Sequence, residues 1–296
     1  MMRFFLKVQA QRFIGLLPYS DAIYVWLQRR LTGSVSPRAS DVMGKRAIVR
    51  DYLDMAARLA GKSVADLEPH LDIGSGWLLS LPLAFRQAGI KQQVATDIHA
   101  GAQLQDVAAS AAIFDKVGPA CLGQPKPGQD LTAWLSDLGI RYMAPAYAPF
   151  DLPAASFGMV TSTQVLMHPA QDVVQLIYAE AARLLRPGGL FIATTKLYDV
   201  YRYADPSLTR FNFLRFSHAT WERWFQNRFT PYNRMRPSDH RRLIEALPFE
   251  ILLWEVQGGG PAELAELARI KPHAEFASYP PEELAATGLK VVLRRR

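Results

Sequence analysis

The chain has 296 residues, enough for one large α/β domain with extensions or for two small domains. Its 49% hydrophobic and 21% charged residues exclude wholesale disorder, collagen and coiled-coil arrays, and the net charge of +7 permits an anionic partner without identifying it. The single cysteine, Cys121, excludes a disulfide scaffold and a cysteine-based metal cluster and suits a reducing compartment, so the cytoplasm is the expected location.

The first 35 residues predict an amphipathic helix and not a signal peptide or a membrane span. Lys7 and Arg12 interrupt the apolar stretch, no small-residue cleavage site follows, and no run approaches the ~20 apolar residues of a bilayer span. The apolar side chains fall on one helical stripe: Phe4, Phe5, Val8, Phe13, Leu16 and Leu17. Two interpretations stay open for this helix, packing on the domain or peripheral contact with a membrane surface.

Helical and strand-like segments then alternate along the chain. A helix is predicted at residues 40–60, with Asp41 as its cap and Gly61 at its end. The connection at residues 99–140 is long, so we expect helices at 103–114 and 131–138 around a mobile loop. Short apolar runs predict strands at 71–74, 94–98, 157–162, 190–194, 250–255 and 289–293. Strands that alternate with helices predict a mainly parallel, doubly wound sheet.

A glycine turn follows the first of these strands. Gly74, Ser75 and Gly76 form a Gly-x-Gly turn that lets the backbone approach a ligand, and the next helix begins with free amide donors. Asp72 places a carboxylate at the mouth of this turn, which would repel a pyrophosphate and attract a cation. S-adenosylmethionine, with its ammonium and sulfonium groups, meets this demand better than a nicotinamide dinucleotide, whose fingerprint requires glycine where this chain has Leu79.

These residues resemble the first motif of the class I S-adenosylmethionine-dependent methyltransferases of types 11 and 12, which reads acid-x-Gly-x-Gly-x-Gly. Asp72, Gly74 and Gly76 match the motif, and Leu78 replaces its third glycine. The resemblance implies a Rossmann-like, seven-stranded, doubly wound α/β sheet with its last strand antiparallel, and S-adenosylmethionine as cofactor. We expect the last two strands, near Glu250 and Leu289, to pair antiparallel.

The second predicted strand ends in Asp97, about twenty residues after the turn. In proteins of this fold a carboxylate at that place accepts the ribose hydroxyls. The resemblance also implies that Ile98 lies against the adenine, and it assigns Ser75 and Gln164 to the cofactor site.

The resemblance extends over residues 68–196. Residues 152–160 and 161–168 are similar to the family's Leu-Pro turn and the strand after it, although Gly158 stands where an aspartate is usual. The helix predicted at 169–185 ends in Leu-Arg-Pro-Gly-Gly-Leu, which is typical of the family; Pro187 and the two glycines after it are expected to stop the helix before the next strand.

Aromatic residues and arginines crowd the segment after residue 196. Three interpretations stay open: a cover over the acceptor pocket, a satellite core with solvated arginines, and a surface that stacks nucleic-acid bases. The sequence of residues 198–203, 211–216 and 233–236 resembles that of a bacterial subgroup associated with cell-surface polysaccharide synthesis. Members of that subgroup often have Asp-His where this chain has Asp199 and Val200.

Methyl transfer needs an aligned acceptor, and a general base only when a hydroxyl must lose its proton. His168 follows the fourth predicted strand, at the edge where ligands bind, and is the first candidate for that base. Asp199 and Tyr201 follow the fifth strand and are further catalytic candidates, whereas His218 and His240 are expected at the surface. No histidine or cysteine spacing indicates a metal site.

The sequence therefore predicts a methyltransferase that acts at oxygen on a small molecule or glycan. The predicted parts are an N-terminal helical extension (1–65), the cofactor-binding core (66–196), a substrate cover (197–247) and final strands that complete the sheet (248–296). N-methylation is the alternative within enzymes. A non-catalytic cofactor-binding module and a nucleic-acid-binding module are the alternatives outside them, and nucleic acid is the partner we expect least.

Overall fold

The computed structural model describes residues 8–10, 12–14, 37–203, 205–227 and 231–296. Residues 8–10 and 12–14 are helical, and most of the predicted N-terminal stripe, including Phe4, Phe5, Leu16 and Leu17, lies outside the described residues. Val8 is buried, whereas Phe13 is 66% exposed, so these two residues do not share a buried face.

The described residues contain seven strands in one sheet. The strands are β1 (His70–Ile73), β2 (Gln93–Thr96), β3 (Ile140–Met143), β4 (Phe157–Thr163), β5 (Leu185–Lys196), β6 (Phe249–Gly258) and β7 (Ala286–Arg295). Their order is β3-β2-β1-β4-β5-β7-β6. The first five strands are parallel, and β7 runs antiparallel to both β5 and β6. The predicted Rossmann-like sheet, with its antiparallel final pair, is confirmed.

Helices cover both faces of this sheet. They are α1 (Ala39–Ala60), α2 (Ser80–Gln87), α3 (Leu104–Val117), α4 (Leu131–Asp137), α5 (Gln171–Leu184), α6 (His218–Trp224), α7 (Pro237–Glu245), α8 (Pro261–Leu267) and α9 (Pro281–Leu284). One buried cluster lies between the sheet and α1 to α4, and a second lies between the sheet and α5 and α7. None of the helices in the described part of the chain is both long and apolar enough to span a bilayer.

Several local predictions are confirmed and others are corrected. Both helices of the long connection form, as α3 and α4, and Gly61 ends α1 with a φ of 62°. Asp41 lies in the first turn of α1, which begins after Arg38, so its prediction as the cap was wrong. The predicted stop at Pro187 was also wrong, because α5 ends at Leu184 and β5 already begins at Leu185.

The segment after β5 forms a third buried cluster. Its aromatic members are Tyr201, Phe211, Phe213, Trp221, Phe225, Tyr232 and Phe276. Val8 and Met167 pack in the same cluster, so it lies against the carboxyl end of β4. Most of the aromatic residues therefore form a satellite core, as one of the three interpretations held. Tyr203 and Trp224 are exposed, at 66% and 44%.

Candidate active site

The carboxyl ends of the parallel strands bring the predicted cofactor residues together. β1 lies between β2 and β4, and the order of the strands reverses there, which opens a crevice above their carboxyl ends. Asp72 lies on β1, Asp97 directly follows β2, and Gln164 directly follows β4. The three polar side chains therefore lie around one crevice.

The glycine turn requires two residues without side chains. Gly74 and Gly76 have φ values of 81° and 70°, which residues with a Cβ rarely adopt. A Cβ at Gly74 would lie 2.3 Å from Val165 Cγ2, so this glycine also permits close packing against the loop after β4. A Cβ at Gly76 would meet no atom within 4 Å among the described residues. Gly76 therefore borders open space that a ligand can fill.

Asp97 is fixed by two backbone amides. Gly76 N donates to Asp97 Oδ2 and His99 N donates to Asp97 Oδ1, both at 2.9 Å. Each carboxylate oxygen has a second lone pair, so the carboxylate can still accept the two hydroxyls of a ribose. Ile98, the next residue, is 50% exposed and offers apolar surface beside this carboxylate. This arrangement suits the predicted ribose and adenine contacts.

Asp72 has a very different environment from Asp97. Its side chain is buried, Oδ1 lies 2.8 Å from Thr161 Oγ1, and Oδ2 has no hydrogen-bond partner among the described residues. Burial raises the pKa of Asp72 to about 6, against the opposing effect of the hydrogen bond from Thr161. An unpartnered carboxylate oxygen at this turn fits the ammonium group of an amino-acid ligand.

Gln164 presents a second buried acceptor. Its φ is 60°, and its backbone N–H donates to Thr194 O at 2.7 Å, which anchors the turn after β4. Its Nε2 donates to Thr194 Oγ1 at 3.4 Å, but its Oε1 is buried without a partner in the described ranges. Buried acceptors are normally satisfied, so a bound ligand is the expected partner of this amide.

Tyr52 is a residue at the site that the sequence analysis missed. It lies on the buried face of α1, and its hydroxyl is 2.9 Å from Thr163 Oγ1 and 3.1 Å from Thr194 Oγ1. Burial raises the pKa of Tyr52 to about 12, so the phenol stays neutral. Only the apolar periodicity of α1 marks this position, and that pattern does not distinguish it from the core.

His168 lies beyond β4, on the side of the crevice that faces the aromatic cluster. Its Nδ1 is 2.9 Å from the Pro231 carbonyl, so Nδ1 carries the proton and donates it. The Tyr232 ring meets the imidazole edge to face, with 6.2 Å between the ring centroids. Burial lowers the pKa of His168, against the effect of the Pro231 bond. The imidazole is therefore neutral at neutral pH, with its lone pair on Nε2.

A cation and two phenols lie beside His168 at the end of β5. Lys196 Nζ is 5.9 Å from the centroid of the Tyr198 ring and 5.5 Å from that of Tyr203. The two phenolic oxygens are 2.5 Å apart, and the pKa of Tyr203 is lowered, first by its hydrogen bond with Tyr198. In the described part of the chain, no carboxylate forms an ion pair with Lys196. We call Lys196, Tyr198 and Tyr203 the acceptor-side cluster.

Asp199 and Tyr201, the other two catalytic candidates, lie inside the satellite core. Asp199 accepts hydrogen bonds from Tyr201 N at 2.9 Å and from Asn212 Nδ2 at 3.3 Å, and its burial raises its pKa to about 6. The Tyr201 hydroxyl donates to the Phe225 carbonyl at 2.9 Å. These contacts hold the segment after β5 in place, and a catalytic role for either residue stays a prediction.

Comparisons with known proteins agree with this architecture. Residues 125–193 match the family model described as a methyltransferase domain. No curated protein matches the chain. A structure of geranyl diphosphate C-methyltransferase from Streptomyces coelicolor is similar at 9% identity, over 83% of this chain and 77% of that one, with a TM-score of 0.46. A structure described as a putative sarcosine dimethylglycine methyltransferase from Galdieria sulphuraria is similar at 14% identity, over 83% of this chain and 86% of that one, with a TM-score of 0.44.

The strand order, the glycine turn and the two acids at adjacent strand ends define a Rossmann-like fold with a ligand crevice at the carboxyl ends of β1, β2 and β4. The domain match covers α4, β3, β4, α5 and most of β5, and it does not include the glycine turn, Asp72 or Asp97. Residues 125–193 are thus similar to a methyltransferase domain, and the acids and glycines of the crevice fit S-adenosylmethionine as a ligand.

Proposed function

We propose that this methyltransferase acts on a hydroxyl oxygen of a glycan or another small polar molecule, with His168 as the general base. The observation that carries the proposal is the hydrogen bond from His168 Nδ1 to the Pro231 carbonyl at 2.9 Å. This bond fixes the tautomer that has its proton on Nδ1 and its lone pair on Nε2, and burial keeps the ring neutral. A neutral imidazole with a defined lone pair is the group that a hydroxyl acceptor needs and an amine acceptor does not.

The acceptor-side cluster supports a polar, ring-shaped acceptor. Tyr198 and Tyr203 offer aromatic faces on which a sugar ring can stack, and Lys196 adds a positive charge between them. Tyr232 joins this cluster to the base: its hydroxyl donates to the Tyr198 carbonyl at 2.5 Å, and its ring packs on His168. The base and the stacking surface are thus held by one buried residue.

The reaction follows from these positions. When bound, S-adenosylmethionine supplies an electrophilic methyl carbon on a positively charged sulfur. Asp97 and Asp72 would hold its ribose and ammonium ends, and the acceptor-side cluster would align the acceptor oxygen with the methyl group. His168 Nε2 would take the proton that the acceptor hydroxyl loses when its oxygen receives the methyl group.

The test compares two kinds of acceptor in one assay. The purified full chain is incubated with methyl-labelled S-adenosylmethionine and either oligosaccharides from cell-envelope polysaccharide or the amines glycine and sarcosine. Labelled products are identified by mass spectrometry as O-methyl or N-methyl compounds. O-methylated sugar supports the proposal. Methylation of the amines alone would replace it with N-methylation, and cofactor binding without any product would indicate a binding module.

A His168→Gln variant tests the base. We expect kcat/KM on the hydroxyl acceptor to fall by roughly 10²- to 10⁴-fold, because the proton loses its acceptor, while S-adenosylhomocysteine binds with unchanged affinity. His218→Gln is the control, since His218 is an exposed histidine at the start of α6. Equal rates in wild type and His168→Gln would remove His168 from the mechanism.

A further inference from the structure

A buried chain of four side chains leads from β2 through β1 and β4 to Asp72. Gln93 Oε1 lies 3.3 Å from His70 Nδ1, His70 Nε2 lies 2.8 Å from Thr161 Oγ1, and Thr161 Oγ1 lies 2.8 Å from Asp72 Oδ1. All four side chains are buried. The position of every hydrogen in this chain therefore depends on its neighbours, since water cannot substitute for a missing partner.

The Gln93 amide fixes one end of the chain. Its Nε2 donates to the Pro82 carbonyl at 3.0 Å and to the Ile90 carbonyl at 3.4 Å, so its Oε1 must face His70. A good contact between this oxygen and His70 Nδ1 requires a proton on Nδ1. Burial lowers the pKa of His70 to about 3, so the ring is neutral and carries only one proton.

Thr161 has one hydroxyl proton for two neighbours. If His70 carries its proton on Nδ1, Thr161 must donate to His70 Nε2, and its oxygen can then only accept from Asp72, which must be protonated. If Asp72 is ionised, Thr161 must donate to it, His70 must carry its proton on Nε2, and the lone pair of Nδ1 then faces Gln93 Oε1. The first arrangement satisfies every group in the chain, whereas the second loses the hydrogen bond to Gln93.

We propose that His70 and Thr161 are positioning residues that couple the ionisation of Asp72 to the tautomer of His70. In the empty site at pH values below about 6, these hydrogen bonds favour a neutral Asp72. A bound ligand with an ammonium group favours the ionised carboxylate, so binding switches the proton of His70 from Nδ1 to Nε2 and releases one proton to solvent. The first arrangement holds three protons, on His70 Nδ1, Thr161 Oγ1 and Asp72. The second holds two, on His70 Nε2 and Thr161 Oγ1, so one proton leaves for solvent.

Few other charged groups act on the hydrogen-bonded side chains from Gln93 to Asp72. Lys45 of α1 lowers the pKa of Asp72, and Asp97 after β2 raises it. Asp72 in turn raises the pKa of Tyr52, which stays neutral. His70 faces the ring of Phe85 on α2, with 4.2 Å between the ring centroids. The upward shift at Asp72 to about 6, caused first by burial, places the switch in an accessible pH range.

The direct test is the tautomer of His70 in the wild-type protein. Nitrogen NMR of the 15N-histidine-labelled full chain distinguishes the two neutral tautomers and the imidazolium, and His70→Leu identifies the signal. We expect the Nδ1-protonated form below about pH 6 in the empty protein and the Nε2-protonated form above it, without an imidazolium. Saturation with S-adenosylhomocysteine should produce the Nε2 form at pH 5.5. One unchanged tautomer under all these conditions would overturn the proposal.

Calorimetry gives a second, independent readout. Binding of S-adenosylhomocysteine is measured in two buffers of different ionisation enthalpy, and we expect release of about 0.75 proton at pH 5.5 and of almost none at pH 8. His70→Leu frees Thr161 to donate to Asp72, so the midpoint of proton release should fall by about one pH unit. Thr161→Val removes that donor, so the midpoint should rise by a similar amount.

The opposite directions of these two shifts exclude a merely structural effect. His273→Leu, on a partly exposed histidine far along the chain, should leave the midpoint unchanged. Shifts of the same sign in both variants would overturn the coupling. The inference rests on the cofactor site and not on the proposed acceptor, since neither measurement requires an acceptor or turnover. If S-adenosylhomocysteine did not bind, the cofactor assignment would fail, while the pH switch of the empty protein would still test the coupling.

Discussion

At the scale of single residues, two aspartates at adjacent strand ends differ in how they hold a charge. Asp97 is half-buried, and its two carboxylate oxygens accept hydrogen bonds from the backbone amides of Gly76 and His99. Asp72 is buried, with one oxygen unpartnered, so its charge depends on what binds. The ribose end of the cofactor would therefore meet a carboxylate held by two amides, and the ammonium end would meet one whose charge forms on binding at pH values below about 6.

Asp97→Ala should weaken the binding of S-adenosylhomocysteine by roughly 10- to 100-fold, because hydrogen bonds to a charged acceptor contribute about 1.5 to 3 kcal/mol. Isothermal titration measures the change. Asp137→Ala removes an exposed carboxylate of α4 and serves as the control. Unchanged affinity in the Asp97 variant, with its fold intact by circular dichroism, would contradict the ribose assignment.

His240 was expected at the surface and is fully buried, so that prediction was wrong. Its helix, α7, turns this position toward α5, where the imidazole Nδ1 lies 3.0 Å from the Tyr178 hydroxyl. A single polar residue in a helix gives no sign of which face is covered. Burial lowers the pKa of His240 to about 4.

This lowered pKa makes the fold sensitive to acid. The unfolded chain binds a proton at this histidine below pH 6.5, whereas the folded chain binds it only below about pH 4. Folding stability is therefore lost as the pH falls from 6.5 to about 4. As the pH falls from 6.5 to 4, the unfolding free energy of the His240→Gln variant should therefore decrease less than that of wild type, by up to about 3 kcal/mol. Urea titrations across this range measure it. His218→Gln, at an exposed position, should follow wild type, and a His240 variant that also does so would contradict the assignment.

At the scale of elements, the sequence predicts long or strongly patterned segments better than short ones. The glycine turn, β4 and α5 are visible because special residues or apolar runs mark them. β3 (Ile140–Met143) was missed, since it is a four-residue edge strand with only its first residue buried and has no apolar run. Tyr52 and the chain from Gln93 to Asp72 were missed for another reason: their contacts join strands and helices far apart in the sequence.

The junction between α4 and β3 depends on Gly139. Its φ is 75°, and a Cβ there would lie 1.9 Å from the Lys91 carbonyl oxygen, a backbone atom that cannot move aside cheaply. Gly139→Ala should reduce the unfolding free energy by about 3 kcal/mol, from the left-handed backbone and the clash together. Gly123→Ala is the matched control, with a φ of 63° and no atom within 4 Å of its Cβ, and should cost only about 1 kcal/mol. Equal losses in thermal unfolding would refute the clash.

At the scale of the whole molecule, the buried cation of Arg236 links the satellite core to the sheet. Arg236 is fully buried, and its guanidinium donates to the Leu197 carbonyl at 2.7 Å and to the carbonyls of Leu284 and Ala286, both at 3.4 Å. It also lies over the Phe213 ring, 5.4 Å from the centroid. Arg236 thus joins the end of β5, the junction of α9 with β7, and the aromatic cluster.

Arg236→Met should destabilise this junction, because the carbonyls of Leu197, Leu284 and Ala286 would stay buried without their donor. Each unsatisfied acceptor costs about 1 to 3 kcal/mol, and burial of the methionine offsets part of that, so we expect a net loss of about 3 kcal/mol in urea unfolding. Arg241→Met, on α7, removes an exposed arginine that pairs with Glu245 at 2.7 Å and should cost less than about 1 kcal/mol. Hydrogen exchange should quicken in residues 197–225 of the Arg236 variant before it does in β1 and β4. Uniform acceleration across the sheet would show that Arg236 supports the whole fold, and no acceleration would show that it does not fasten the satellite core.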